Sequence, residues 1–525
     1  MQRVKEWWRH DGPRAVTACA VVALFAYAFA SRLALLFQSP FPLGIDGYWY
    51  PIQLRSLLRD GHLYYPTAPL VPWLMAPLAW CTDPIVGAKL GAALGTSVMV
   101  VPAYLIGKRL SGDRALGILS SALAATSAES FFLTTEFVKE GVGLSICAGF
   151  LAAQAWALEK PSVRRILLPA LLFAAAALAH KTAVALALVV GLFPLLAWAH
   201  ARNQGNARTL ARVLLLVLGA LSLLALLGRA WPQRFFASRD LDHLRDLFRS
   251  AGDASLPVLA IPGRRPLYLG HEVLVAAVIA AVLALFTISR ALARRARRRA
   301  GSIRMGEQQN LNAPPALAVG LVVLALFLGI PWLDARSEQG VVFRMRLAAF
   351  LPLGPLAALL LALVLRRATP RARATLGLGA ALLLLLARHA CPPTDGVVLT
   401  HPSLAAAVGN LKDVLPPGTT VVTPERHIVY MVTWYTGAPA RLRLPAVNPH
   451  PAEVTRLLPG AAIRQELRSV LESLEKVPLP GIVPPRDVHP THRYGLVVMP
   501  EATFQRIIEL LPPVARDSYV KWRIY

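Results

Sequence analysis

Gly44-Ile45-Asp46-Gly47-Tyr48-Trp49-Tyr50 follows directly on the first long apolar segment of the chain. One carboxylate and three aromatic rings therefore stand where a membrane helix emerges into water. Roughly ten more apolar segments follow. A lone acid on the first outer loop of a many-helix membrane protein points to chemistry at the membrane surface.

Composition fixes the class. Charged residues make up 16% of the 525 residues and hydrophobic ones 55%. A soluble chain carries about 25% charged residues. The mean hydropathy is +0.51, and several runs reach the ~20 apolar residues that cross a bilayer. The chain reads as a polytopic α-helical membrane protein. Its net charge of +26 does not mark a nucleic-acid partner, because most of the arginine sits in short loops between apolar segments, as a topology signal does. Four cysteines give neither a disulfide framework nor metal-type spacing.

The hydropathy predicts eleven spans, near 15–37, 85–107, 115–134, 141–158, 166–180, 182–199, 213–229, 271–290, 316–332, 347–365 and 374–390. The first is too long for a signal peptide and is expected to be retained. Alternate loops are short and basic, among them Lys108, Arg109 and Arg114; Lys160, Arg164 and Arg165; and Arg366, Arg367, Arg371 and Arg373. Such loops face the cytoplasm. The N-terminus is then inside. Loops 38–84, 135–140, 230–270 and 333–346 lie outside, as does the C-terminus, in the bacterial inner (plasma) membrane. The run Arg294 to Arg299 reads as a stop-transfer cluster against anionic lipid.

The expected domains are 1–390 in the membrane and 391–525 outside it. In the tail, Thr419-Thr420-Val421-Val422 and Gly495-Leu496-Val497-Val498-Met499 read as short strands. Glu501 to Leu511 reads as an amphipathic helix and Pro478 to Pro485 as a loop. A small α/β domain is expected. Cys81 and Cys391 fall near outer span ends, where a bridge would be permitted. No internal repeat is visible.

The first outer loop holds the richest chemistry. After Asp46, the apolar spacing of Ile52, Leu54, Leu57 and Leu58 predicts a helix lying in the interface with its arginines outward. His62-Leu63-Tyr64-Tyr65-Pro66 follows. An aromatic belt with an incidental acid is the plainer reading. The functional one is a catalytic carboxylate, with Tyr48, Trp49, His62, Tyr64 and Tyr65 around the substrate. In the second outer loop, Thr134-Thr135-Glu136-Phe137-Val138-Lys139-Glu140 puts Glu129, Glu136 and Glu140 on one face if the stretch is a single helix. A carboxylate within a span is a functional candidate. A solvated Glu136–Lys139 pair is the bland alternative. His180-Lys181 interrupts a long apolar run and offers a cation near a donor phosphate; a plain polar hairpin reads as well. Arg344 and Arg346 stand at the outer mouth of the tenth span, suited to hold a lipid phosphate by paired hydrogen bonds or simply to snorkel. Arg32 is a weaker version of the same case.

Asp46-Gly47-Tyr48-Trp49-Tyr50, continued by Leu54-Arg55-Ser56-Leu57-Leu58-Arg59-Asp60-Gly61, resembles the first outer loop of the GT-C glycosyltransferases. It is similar to the loop of oligosaccharyltransferase catalytic subunits. Tyr64-Tyr65-Pro66 with Ala68-Pro69-Leu70 resembles the loop of protein O-mannosyltransferases and aminoarabinose transferases. There are departures. The tail has Trp434-Tyr435-Thr436-Gly437 where oligosaccharyltransferases have Trp-Trp-Asp, and Gly47 follows Asp46 where O-mannosyltransferases have Asp-Glu. The resemblance implies a GT-C fold and a polyprenyl-phosphate-linked sugar donor. It further implies an extracytoplasmic acceptor, inversion, and Asp46 as base with Glu136 beside it. Lys139, Glu140, His180, Lys181, Arg344 and Arg346 would contact substrate. Asp46 and Glu136 would also suit Mg²⁺ or Mn²⁺. The competing classes are a transporter or lipid flippase, which needs polar groups and broken helices near the midplane, and a non-catalytic GT-C-like scaffold.

Overall fold

The computed structural model describes residues 12–202, 215, 219, 222, 271–299, 313–333, 341–390, 400, 402–414, 419–423, 426–442, 475–478 and 495–500. The loop 230–270, Asp334 to Gly340, Cys391, residues 479–485, the expected helix 501–511 and most of the expected span 213–229 lie outside the described residues, as do the side chains of the arginine run.

In chain order the first helices are α1 (Gly12–Leu36), α2 (Trp49–Asp60), α3 (Leu70–Cys81), α4 (Pro84–Ser97), α5 (Val100–Ser111), α6 (Arg114–Thr126) and α7 (Ala128–Thr135). There follow α8 (Val138–Glu159), α9 (Val163–Ala179), α10 (Lys181–Arg202), α11 (His271–Arg299), α12 (Ala313–Leu328), α13 (Val341–Arg346), α14 (Phe350–Val364) and α15 (Pro370–Ala390). The tail holds α16 (Pro402–Val414), β1 (Thr419–Thr423), α17 (Arg426–Thr436), β2 (Ala440–Leu442), β3 (Glu475–Pro478) and β4 (Gly495–Pro500). Among the described residues seven helices are long and apolar enough to cross a bilayer, or eight if α6 and α7 form one bent span. This is a membrane protein.

The chain divides into two compact units. One holds residues 1–35 and 92–395; the other holds 36–91 and 396–525. In the first unit, helices approach closely through small residues, as membrane helices do in the absence of a hydrophobic drive between them. Ser120 Oγ donates to the Ala103 carbonyl at 2.9 Å, and Ser121 Oγ to that of Val100 at 2.5 Å. A Cβ on Gly107 would stand 2.4 Å from that of Ser120, so α5 and α6 meet only because residue 107 has no side chain.

The span expected at 115–134 is broken. α6 and α7 meet at 43°, because Ser127 turns out of the helix and caps the next one, its Oγ accepting from Ser130 N at 3.1 Å. A second break follows at Glu136 and Phe137, between α7 and α8. Glu129, Glu136 and Glu140 therefore do not share the face of one continuous helix. All three are buried.

In the second unit the sheet order is β2-β1-β4-β3. β1 runs parallel to β2 and antiparallel to β4, which also pairs antiparallel with β3. The expected interfacial helix at 52–58 is α2, but its arginines are not all turned outward. Arg55 is half-buried against the end of α17, while Arg59 is exposed.

Candidate active site

The second unit presents Asp46 on a tight turn. Gly44 has φ +80°, a left-handed conformation that glycine adopts without penalty. Gly47 N donates to the Gly44 carbonyl at 3.2 Å, closing the turn, and Trp49 N donates to the Asp46 carbonyl at 3.0 Å, opening α2. A Cβ on Gly47 would lie 2.6 Å from the Leu43 carbonyl oxygen. The turn thus carries two side chains, Ile45 and Asp46, between glycines that let it close tightly. Asp46 is itself partly buried. Ahead of the turn, Lys89 Nζ donates to the Ser39 carbonyl at 2.6 Å and sits over the Phe37 ring. The loop is tethered as it leaves α1.

Aromatic residues of α17 hold the other side of this loop. Tyr48 and Tyr435 share a hydroxyl hydrogen bond of 2.9 Å. The Tyr48 ring packs at a tilt on both Trp434 and Tyr435. Burial, with the Tyr435 bond next, pushes the Tyr48 phenol well above its ordinary pKa, so it stays protonated at neutral pH. Arg55 stacks its guanidinium 4.3 Å from the centre of the Trp434 ring and donates to the carbonyls of Trp434 at 2.7 Å and Thr433 at 3.1 Å. Those carbonyls lie in the last turn of α17, where a cation complements the helix dipole. Gln53 locks Tyr65 in place through two backbone bonds, at 2.7 and 2.8 Å. Tyr65 in turn meets Tyr430 edge to face and donates to Thr433 Oγ1 at 3.4 Å.

These contacts sort the expected substrate residues of the first loop. Tyr48, Trp49 and Tyr65 are buried, and their rings fix the loop. His62 and Tyr64 are exposed. Sequence reasoning missed Arg55, Gln53, Thr433 and the packing role of Trp434-Tyr435. The aromatic pair in an otherwise mixed tail was the available signal.

The first unit gathers a second cluster where α8, α10 and α13 begin or end. The Glu140 carboxylate, 1% exposed, faces the Thr182 hydroxyl and lies in the field of Arg344 and Lys181. His180 stands between α9 and α10, in the field of Arg344, Lys139 and Lys181. Its Nδ1 accepts from Thr182 N at 3.3 Å, which places the neutral ring's proton on Nε2. Arg344 lies 4.9 Å from the centre of the Phe137 ring, and Phe137 packs with Phe132 and Phe343. Arg344, whose field reaches the buried acid, therefore stands on an apolar aromatic floor.

Arg344 and Arg346 stand in different surroundings. Arg346 is 2% exposed and donates to the carbonyls of Leu328 at 3.2 Å and Ile330 at 3.0 Å, closing the end of α12. Arg346→Ala is expected to destabilise the folded protein by about 2 kcal/mol or more, since two carbonyls lose charged donors. Its effect on lipid-phosphate affinity, measured on the folded fraction, is expected to be small. A normal melting temperature together with lost affinity would reverse that assignment. Among the described residues no group of three or more His, Cys, Asp or Glu stands together as a metal site would need.

No family model matches the chain, and no curated protein matches it by sequence. Solved structures do. The crystal structure of ArnT from Cupriavidus metallidurans bound to undecaprenyl phosphate aligns with 91% of this chain and 97% of its own, at 14% identity and a TM-score of 0.50. The apo form of the same protein aligns with 95% of this chain and 100% of its own, at 15% identity and a TM-score of 0.47. Over nearly its whole length, the chain is similar in fold to ArnT.

Proposed function

We propose that this protein is an integral membrane glycosyltransferase. It transfers a sugar from a polyprenyl-phosphate-linked donor to an extracytoplasmic acceptor, with inversion. The reading includes eleven spans, a cytoplasmic N-terminus, an inner-membrane location and a tail outside the membrane, following the basic alternate loops. The observation that carries it is the cluster of Arg344, Lys181, His180 and Glu140, in a chain whose fold recurs in a protein crystallised with undecaprenyl phosphate.

Asp46 takes the proton of the acceptor hydroxyl as its oxygen attacks the anomeric carbon. The bond from that carbon to the phosphate oxygen breaks, and polyprenyl phosphate leaves with an added negative charge. Arg344 and Lys181 stabilise that charge in a site partly screened from water. The clamp from α17 keeps Asp46 fixed, so little reorganisation is needed at the moment of attack. Glu136 supports the acceptor side. Asp46 and Glu136 remain the pair proposed for a divalent cation, and no step depends on it.

The test is binding of undecaprenyl phosphate to the purified protein in nanodiscs. Arg344→Ala and Lys181→Ala are each expected to weaken it about 10-fold or more, the scale of losing a charge-assisted hydrogen bond. Wild-type affinity in both variants would remove the cluster from the donor site. The flippase alternative gains nothing from the broken span. The break lies level with the last turns of α1 and α15, through Arg32 and Arg388, rather than midway along them.

A further inference from the structure

We propose that Arg32, Arg388 and Glu272 are positioning residues for the second acidic loop. They act by fixing the break between α6 and α7. The inference rests on the reading of Glu136 given under the proposed function.

Three backbone groups at the break, Ala128 N and the carbonyls of Thr126 and Ala125, meet charged side chains from three different helices. Ala128 N donates to Glu272 Oε1 at 2.7 Å, and Ser127 Oγ donates to Glu272 Oε2 at 2.7 Å. The Thr126 carbonyl accepts from Arg388 Nε at 2.9 Å and from its Nη2 at 2.5 Å. Arg32 Nη1 reaches the Ala125 carbonyl at 3.4 Å, and its Nη2 donates to Ser130 Oγ at 2.7 Å. Both guanidinium groups face the ring of Phe131, at 4.6 and 5.4 Å from its centre. Three charges from α1, α11 and α15 thus close on six consecutive residues, 125–130.

A continuous helix would satisfy the same backbone with no charge at all. Ionised groups in a membrane bundle are costly, and unmet backbone groups there cost several kcal/mol each. The break is therefore held in place against a simpler alternative. What it gains is direction. α7 has eight residues, about 12 Å at 1.5 Å per residue. Glu136 caps its C-terminal end, donating its N–H to the Phe132 carbonyl at 2.9 Å. Phe137 comes next, under Arg344. A slack of about 5° at the root of α7 moves Glu136 by about 1 Å, and a displacement of that size can cost about 10²-fold in rate.

The experiment uses the full-length protein in nanodiscs. Arg388→Gln and Glu272→Gln are each expected to lower kcat about 10- to 100-fold, with undecaprenyl-phosphate affinity within about twofold of wild type. Arg388→Lys should restore most of the rate. Arg388→Gln combined with Glu136→Gln should cost no more than the larger single loss, because the first acts through the second. Losses that multiply, or that fall on lipid affinity, would overturn the proposal, as would an Arg388→Lys protein no better than the Gln variant. A second readout needs no activity. Spin labels at Lys108 and Lys139, with the native cysteines replaced, should give a narrow distance distribution that broadens in Arg388→Gln. An unchanged distribution also overturns the proposal. Should wild type transfer no sugar, the proposed function falls, while the spin-label distances still decide whether these residues aim α7.

Discussion

Asp46→Asn is expected to lower sugar transfer by about 10²- to 10⁴-fold, the usual cost of removing a general base. The substitution is nearly isosteric. The contacts that build the turn are backbone bonds, from Gly47 N to the Gly44 carbonyl and from Trp49 N to the Asp46 carbonyl. Because Asn keeps the size and shape of Asp, expression, melting temperature and lipid-phosphate affinity should stay close to wild type, and the loss should fall on kcat. A comparable loss in lipid affinity would instead make Asp46 part of donor binding.

Gly47→Ala is the second large effect, and it acts through geometry alone. The added methyl would sit 2.6 Å from the Leu43 carbonyl oxygen, 3.0 Å from the Pro42 Cβ and 3.1 Å from the Gly44 carbonyl oxygen. Two of the three are backbone atoms, which cannot swing aside. The turn must open, and Asp46 moves with it. A shift near 1 Å costs about 10²-fold, so Gly47→Ala should reach a large fraction of the Asp46→Asn loss while keeping the carboxylate. Measured together, Gly47→Ala with Asp46→Asn should cost little more than Asp46→Asn alone. Full activity in Gly47→Ala would mean that the position of the turn does not matter to turnover.

Several of the expected spans were legible because hydropathy is a property of each segment alone. α1, α8 and α15 begin and end within a few residues of their expected limits, and α11 begins at the expected residue 271 but runs on to Arg299. The break at Ser127 was not legible. Ser127 lies in an apolar run, and the groups that stabilise the break are distant in sequence, at Arg32, Glu272 and Arg388. Only packing brings them together. The division of labour between Arg344 and Arg346 was within reach. Residues two apart on a helix point about 200° from one another, so one faces the Glu140 cluster when the other faces the end of α12. Arg55 was read as solvent-facing because its own helix is amphipathic. The carbonyls that hold it belong to Thr433 and Trp434, and nothing local to α2 announces them. At the candidate site, the motif around Asp46 was visible from residue types. The packing that holds its turn was not.

The most direct measurement is single-turnover transfer by the purified protein from a synthetic polyprenyl-phosphate sugar, following both the lipid product and the anomeric configuration of the glycoside. Wild type is expected to release polyprenyl phosphate in step with a glycoside of inverted configuration, and Asp46→Asn to release almost none while still binding the donor. A wild-type protein that binds the lipid yet releases no more polyprenyl phosphate than Asp46→Asn would contradict the proposal that this chain is a glycosyltransferase.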